Sequence, residues 1–272
     1  MRALVQIGRY PSSVQFCSNV SWTANEEGAF AFAQELLAFS LELAKAPELP
    51  PITAGSRRDP KIVGLTLLCR SITNFRAVLL LVRVNPPNVV ESRALARLIF
   101  ENFFFLAALC EHGADFVRAM RSDEAANRKA LGEFALKKLS DEEKDLGQGL
   151  TLRTRIKELL SEFPKPVKFS VKGVAAQTVA DTAYLSYATL SMDAHPSVTS
   201  LRRHIQWEAV GDIRQLTLTV VPGFAPEERM KTIHEACVAF VGVCIAVNQL
   251  LGGTAKSDDL RKLFERFEDG AA

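Results

Sequence analysis

ALARLIFENFFFLAALC, residues 94–110, decides how this chain folds. Arg97, Glu101 and Asn102 are its only strongly polar residues. A helix that is apolar nearly all round is stable only when other elements cover it, so this segment predicts a buried central helix. Upstream, Asn85-Pro86-Pro87 breaks the chain after a second apolar run, Lys61 to Val84. Asp59-Pro60 opens that run with a cap and a proline at the first helical position. A short break between two such helices predicts an antiparallel helical hairpin. Downstream, Gly113 is the natural stop for a helix over about 88–112.

The same reading extends to both ends. Residues 1–22 read as an irregular arm. Thr23 with Glu26 has the spacing of a capping box, and Phe30, Leu37, Leu41 and Ala44 then recur at helical spacing as far as Lys45. Residues 114–163 carry more charge and weaker apolar stripes, which predicts two or three exposed amphipathic helices, one of them opened by Ser140 and Glu143. One long helix is expected over about 170–193, stopping at His195-Pro196 because a residue before proline avoids helical geometry. Ile213, Leu216, Leu218 and Val220 alternate with Gln and Thr, the pattern of a small hairpin over 205–221 turning at Gly211-Asp212. Pro226-Glu227-Glu228 opens a last long helix, and Leu260, Leu263, Phe264 and Phe267 mark a short amphipathic one. The fold class is therefore all-α, a multi-helix bundle with long apolar central helices and one small hairpin. Without repeats or linkers, residues 1–272 read as a single helical domain.

Composition narrows the class further. With 272 residues, 48% hydrophobic and 24% charged, the chain has enough apolar material for its own core. A net charge of +2 gives no prior for nucleic acid or an anionic membrane. Five cysteines, an odd number without close pairs, suit a reducing compartment. The N-terminus has too short an apolar run for a secretory signal, and the apolar stretch Ala236–Val247 is too short to span a bilayer. The expectation is a soluble, cytoplasmic protein without membrane partners.

Two polar groups stand out against this apolar background. Arg93, Arg97 and Glu101 are spaced four apart and share one helix face. A guanidinium and a carboxylate among apolar residues form either a structural ion pair or a site. Tyr184, Ser191 and His195 follow one line along the helix before Pro196, flanked by Tyr187 and Asp181. His195 carries an imidazole, the side chain most used for acid-base work, and it equally suits a helix C-terminal cap. Arg202-Arg203-His204 read as a solvated basic turn that could also take phosphate. No glycine loop, metal-ligand spacing or nucleophile elbow is present, so neither a cofactor nor a metal is expected.

ARLIFEN (96–102), Tyr184, YATLSMDAHPS (187–197) and Arg202-Arg203-His204 together resemble domain-of-unknown-function family 5677, as do the flanking helices, over roughly residues 60–250. The resemblance implies an all-helical bacterial-type protein without a settled activity. It marks Arg97, Glu101, Tyr187, Ser191, His195 and Ser197. An analogy also exists to HEPN-class ribonuclease toxins and defence proteins, but their Arg-to-His spacing on one helix is missing here.

Two functions follow from these residues. In the first, Arg93, Arg97, Tyr184, Tyr187, Ser197 and Arg202 bind an anionic or polar ligand such as RNA or a nucleotide. His195, Glu101 and Ser191 then serve hydrolysis of a defence or toxin type. In the second, the same residues are buried struts of a non-enzymatic interaction or sensor module, and its working surface is the 114–163 section or the basic turn. A homodimer is compatible with either.

Overall fold

The computed structural model describes residues 26–45, 54–84, 87–144, 146–210 and 213–269. The N-terminal arm, the cap at Thr23, Cys17 and the turn at Gly211-Asp212 lie outside these residues. Helix α1 (Glu26–Lys45) has acids in its first turn and a lysine in its last, matching the helix dipole. A 3₁₀ turn (Ala54–Arg58) leads to α2 (Pro60–Leu81). Asp59 caps α2 as the sequence implies, its carboxylate accepting the Lys61 N–H at 2.8 Å.

Helix α3 (Val89–Leu136) returns antiparallel to α2 and is longer than its sequence predicts. Gly113 does leave helical geometry, with φ 51° and ψ −123°, values that L side chains rarely adopt. The helix nevertheless resumes at once. Phe116, buried one turn later, packs edge-on to Phe105 and stacks with Phe169, both at 5.8 Å. That anchor returns the chain to helix after a single kinked residue.

The section that follows holds α4 (Asp141–Lys144) and α5 (Gly147–Glu162). Ser140 and Glu143 form the expected reciprocal cap, at 2.8 and 3.3 Å. The single helix expected over 170–193 is in fact three pieces: α6 (Val171–Ala175), a 3₁₀ turn (Asp181–Ala183) and α7 (Tyr184–Ala194). Side chains bonding to backbone cause the break. The Thr178 hydroxyl donates to the Ala175 carbonyl and accepts the Ala180 N–H, and Glu111 accepts the Val179 N–H at 3.0 Å.

After α8 (Val198–Arg202) come the antiparallel strands β1 (Ile205–Val210) and β2 (Ile213–Leu218), paired from Ile205↔Leu218 to Val210↔Ile213. Helix α9 (Pro226–Leu250) then crosses the bundle, and α10 (Ser257–Asp269) closes it. Among the described residues the fold is thus helical with one small two-stranded sheet.

Helices α2, α3 and α9 form the centre, with α1 and α7 packed onto it. Phe75 of α2 and Phe240 of α9 stack at 4.3 Å, both fully buried. A Cβ at Gly242 would lie 2.7 Å from the Phe103 ring, so α3 and α9 approach closely only because that residue is glycine. A buried amide of this core, Asn102, donates to Ser71 on α2 at 3.0 Å. Helices α2 and α9 are each long and apolar enough to cross a membrane, and both contribute fully buried side chains to the bundle centre. Gly113→Ala should cost about 1–3 kcal/mol through strain at the kink. Thermal unfolding followed by circular dichroism should show a midpoint lowered by several degrees, with helicity unchanged.

Candidate functional site

Helices α3 and α7 meet through the residues that the sequence singles out. Arg97, Glu101, Tyr187 and Ser191 form one hydrogen-bonded group. The Arg97 Nε donates to Ser191 Oγ at 3.0 Å, and Nη2 donates to the Tyr187 hydroxyl at 2.9 Å. That hydroxyl donates in turn to Glu101 Oε1 at 3.0 Å, and the same carboxylate oxygen lies 2.7 Å from Arg97 Nη2. The guanidinium also sits over the Tyr187 ring, 5.0 Å from its centroid. The Ser191 hydroxyl in turn donates to the Tyr187 carbonyl at 2.8 Å. Burial, and then the neighbouring Glu101 carboxylate, push the Tyr187 phenol above its usual range and keep it a donor.

One helical turn away lies a more deeply buried group. Arg93 Nε donates to Asp193 Oδ2 at 2.5 Å, both side chains being almost fully enclosed. Arg203, from the end of α8, donates to the other oxygen of Asp193 at 2.8 Å. It also grips Glu228 of α9 with two bonds, at 2.9 and 2.7 Å. Glu228 in addition accepts the Ala225 N–H at the start of α9. The Arg203 bonds hold the Glu228 carboxyl down at about 2. Glu235, a second acid of α9, lies 3.6 Å from Arg93 Nη1, too far for a hydrogen bond. Its Oε2 is buried without a hydrogen-bond partner, and burial pushes its pKa up.

The remaining nominated residues stand elsewhere. Tyr184 is half-buried and packs its ring on Tyr187 at 5.4 Å and Phe104 at 6.5 Å. His195 is exposed, because the chain turns extended there (φ −122°, ψ 154°) and leaves the line of α7. Ser197 caps α8, accepting the Ser200 N–H at 3.1 Å and donating to the Met192 carbonyl at 2.6 Å. Arg202 is exposed, whereas Arg203 beside it turns inward. Asp181, on the 3₁₀ turn, is exposed.

Asp193, Glu228 and Glu235 are the members that sequence reasoning passed over, and Arg203, read there as part of a solvated basic turn, instead turns inward onto Asp193 and Glu228. Asp193 was open to detection, being a carboxylate between buried positions of an apolar helix. Arg203 and Arg202 look alike in sequence. Glu228 doubles as an ordinary first-turn acid.

A family described as "Family of unknown function (DUF5677)" matches residues 61–212. The chain belongs to this family. The match takes in every member of both groups except Glu228 and Glu235, which lie beyond it on α9. No curated protein and no solved structure matches the chain.

Asp193→Asn should leave the buried Arg93 guanidinium without its hydrogen-bonded carboxylate and cost about 3–5 kcal/mol, whereas Glu235→Gln and His195→Ala should stay within roughly 1 kcal/mol. Chemical denaturation of the three variants checks this order. Acid should also weaken the fold in two stages. Burial holds His234 down at about 4, from an ordinary 6.5, so its contribution is complete above about 6.5 and lost as pH falls towards 4. Glu228 contributes above about 4.5 and loses that contribution on the way to 2. Thermal midpoints measured from neutral pH downward should therefore fall first between 6.5 and 4, and His234→Gln should flatten that first stage.

Proposed function

We propose that this protein is a soluble, cytoplasmic, non-enzymatic interaction module whose Arg97 and Asp193 groups are internal struts. The observation that carries the reading is the occupancy of Arg97. Its guanidinium is bonded to Ser191, Tyr187 and Glu101 of its own chain, an arrangement that leaves an anion little to gain. Catalysis is further disfavoured by the exposure of His195, outside the hydrogen-bonded group that holds Glu101 and Ser191. Satisfied buried polar groups fix which faces of α3 and α7 meet, a role that needs no ligand.

A second reading keeps the cleft as a site for an anionic ligand, with RNA or nucleotide hydrolysis as its chemistry. One observation favours it. The Arg97 and Glu101 side chains retain 16% and 21% exposure, against 5% for Arg93, so one edge of the group reaches water.

Thermal unfolding separates the two. As a strut, Arg97→Ala should cost about 2 kcal/mol, or roughly 4–8 °C, by leaving Glu101 and Tyr187 without their partner. Phosphate, nucleotides and RNA should leave the wild-type midpoint unmoved, and none should be cleaved. An unchanged midpoint in the variant, joined to nucleotide-dependent stabilisation of the wild type, would establish the ligand site instead.

A further inference from the structure

The hairpin β1–β2 has two unlike faces. Directly opposed residues share a face and side chains alternate along a strand, so the register puts Ile205, Trp207, Leu216 and Leu218 together. The opposite face carries Gln206, Glu208, Gln215 and Thr217, which water satisfies. On the apolar face Trp207 is 64% exposed and Leu218 78%, and Val220 just beyond is 93% exposed. Two strands alone are at best marginally stable in water and need something packed on their apolar face. The described residues leave most of this face open.

The chain itself carries a matching piece. In a protein with 24% charged residues, the stretch from Tyr10 to Asn25 contains none. Within it Val14, Phe16, Val20 and Trp22 fall on even positions, and Gln15, Asn19 and Ser21 fall between them. Extended backbone sets alternate side chains on opposite sides, which gives such a stretch one apolar side and one polar side. Segments that stay in water are instead poor in aromatic and β-branched residues and rich in charge.

The start of α1 brings this piece to the right place. Glu26 pairs with Arg229 at 2.8 Å, near the start of α9. The neighbouring Glu228 holds Arg203, where the chain leaves α8 for the hairpin. The Arg203 carbonyl also accepts the Gly223 N–H at 2.7 Å, where the chain comes back. The base of the hairpin and the first residue of α1 therefore flank the same end of α9. Four residues reach at most about 14 Å, which ties Trp22 to that end. Extended, residues 14–22 span about 30 Å, against about 20 Å for either six-residue strand. The piece is long enough to run the full face.

We infer that residues 14–22 lie across the apolar face of the hairpin, with Val14, Phe16, Val20 and Trp22 turned onto Ile205, Trp207, Leu216 and Leu218. The contact is face to face, so the exposed apolar surface is itself what becomes buried. A tethered segment meets this face at an effective concentration on the order of millimolar, whereas a separate molecule loses its translational and rotational freedom on binding. Any partner for the face would then compete with the chain's own N-terminal arm. The inference goes beyond the strut reading and is independent of it, since Arg97 takes no part.

The chain holds two tryptophans, one on each side of this contact. The test is emission and acrylamide quenching of the full chain as Trp22→Phe, which reports Trp207 alone, and as Trp207→Phe, which reports Trp22 alone. Both should emit in the blue and resist quenching at concentrations where sedimentation gives the mass of one chain. Phe16→Asp with Val20→Asp should then send Trp207 to the red and raise its quenching several-fold, with far-ultraviolet helicity unchanged. Leu216→Asp with Leu218→Asp should do the same to Trp22. A red, freely quenched Trp207 in the Trp22→Phe chain overturns the inference, as does a blue emission that the changes at Phe16 and Val20 leave in place. Burial of Trp207 that appears only as concentration rises also overturns it and assigns the face to a second copy. None of these outcomes touches the strut reading, which stands or falls on the unfolding of Arg97→Ala.

Discussion

The Asp193 carboxylate is the point on which the arrangement of helices depends. It sits on an almost fully enclosed side chain and accepts from Arg93 of α3 with one oxygen and from Arg203 of α8 with the other. Through Arg203 the connection continues to Glu228, so one chain of charge-assisted bonds ties α3, α7, α8 and α9. Buried charges tolerate little displacement, because a stranded guanidinium pays the desolvation cost without its partner. Apolar packing between α3 and α7 would permit several rotations of one helix on the other. Asp193 permits one.

Around this point the apolar core supplies most of the cohesion. Phe75 on Phe240, Phe104 against Tyr187, and Phe103 over Gly242 bring α2, α3, α7 and α9 together at close range. The Arg97 group lies at the edge of the same interface, nearer to water, and repeats its logic with weaker partners. A graded series results, from apolar centre to enclosed ion cluster to half-buried hydrogen-bonded group. The hairpin lies outside the series altogether, with apolar residues that the bundle does not cover.

Much of the fold is legible in the sequence. Segment 94–110 has no stable existence except under other helices, and Asp59-Pro60, Ser140 with Glu143, and the alternation over 213–220 mark local events that depend on neighbouring residues alone. The break at 176–180 was not legible in the same way, because part of it comes from Glu111, distant in sequence, accepting a backbone N–H there. Nor was the resumption of α3 beyond Gly113, since Phe116 needs Phe105 and Phe169 in place before helix is the better choice.

For the candidate site the division is similar. The four-residue spacing of Arg93, Arg97 and Glu101 set them on one face, and the line of Tyr184, Ser191 and His195, with Tyr187 beside it, set a second group on another helix. That the faces meet is a property of how α7 lies on α3. Sequence alone could not separate Arg202 from Arg203, because which of two adjacent arginines turns inward depends on where Asp193 and Glu228 wait. His195 left the line of α7 because the proline after it forces extended backbone. That rule is readable in sequence, but the direction it gives the ring is set by the bundle. What the sequence determined by itself was whatever short-range sterics and apolar periodicity control: helix ends, caps, the hairpin and the existence of a core. What the tertiary structure alone decided was the pairing of charges, because a buried ion pair is chosen by distances between elements far apart in the chain.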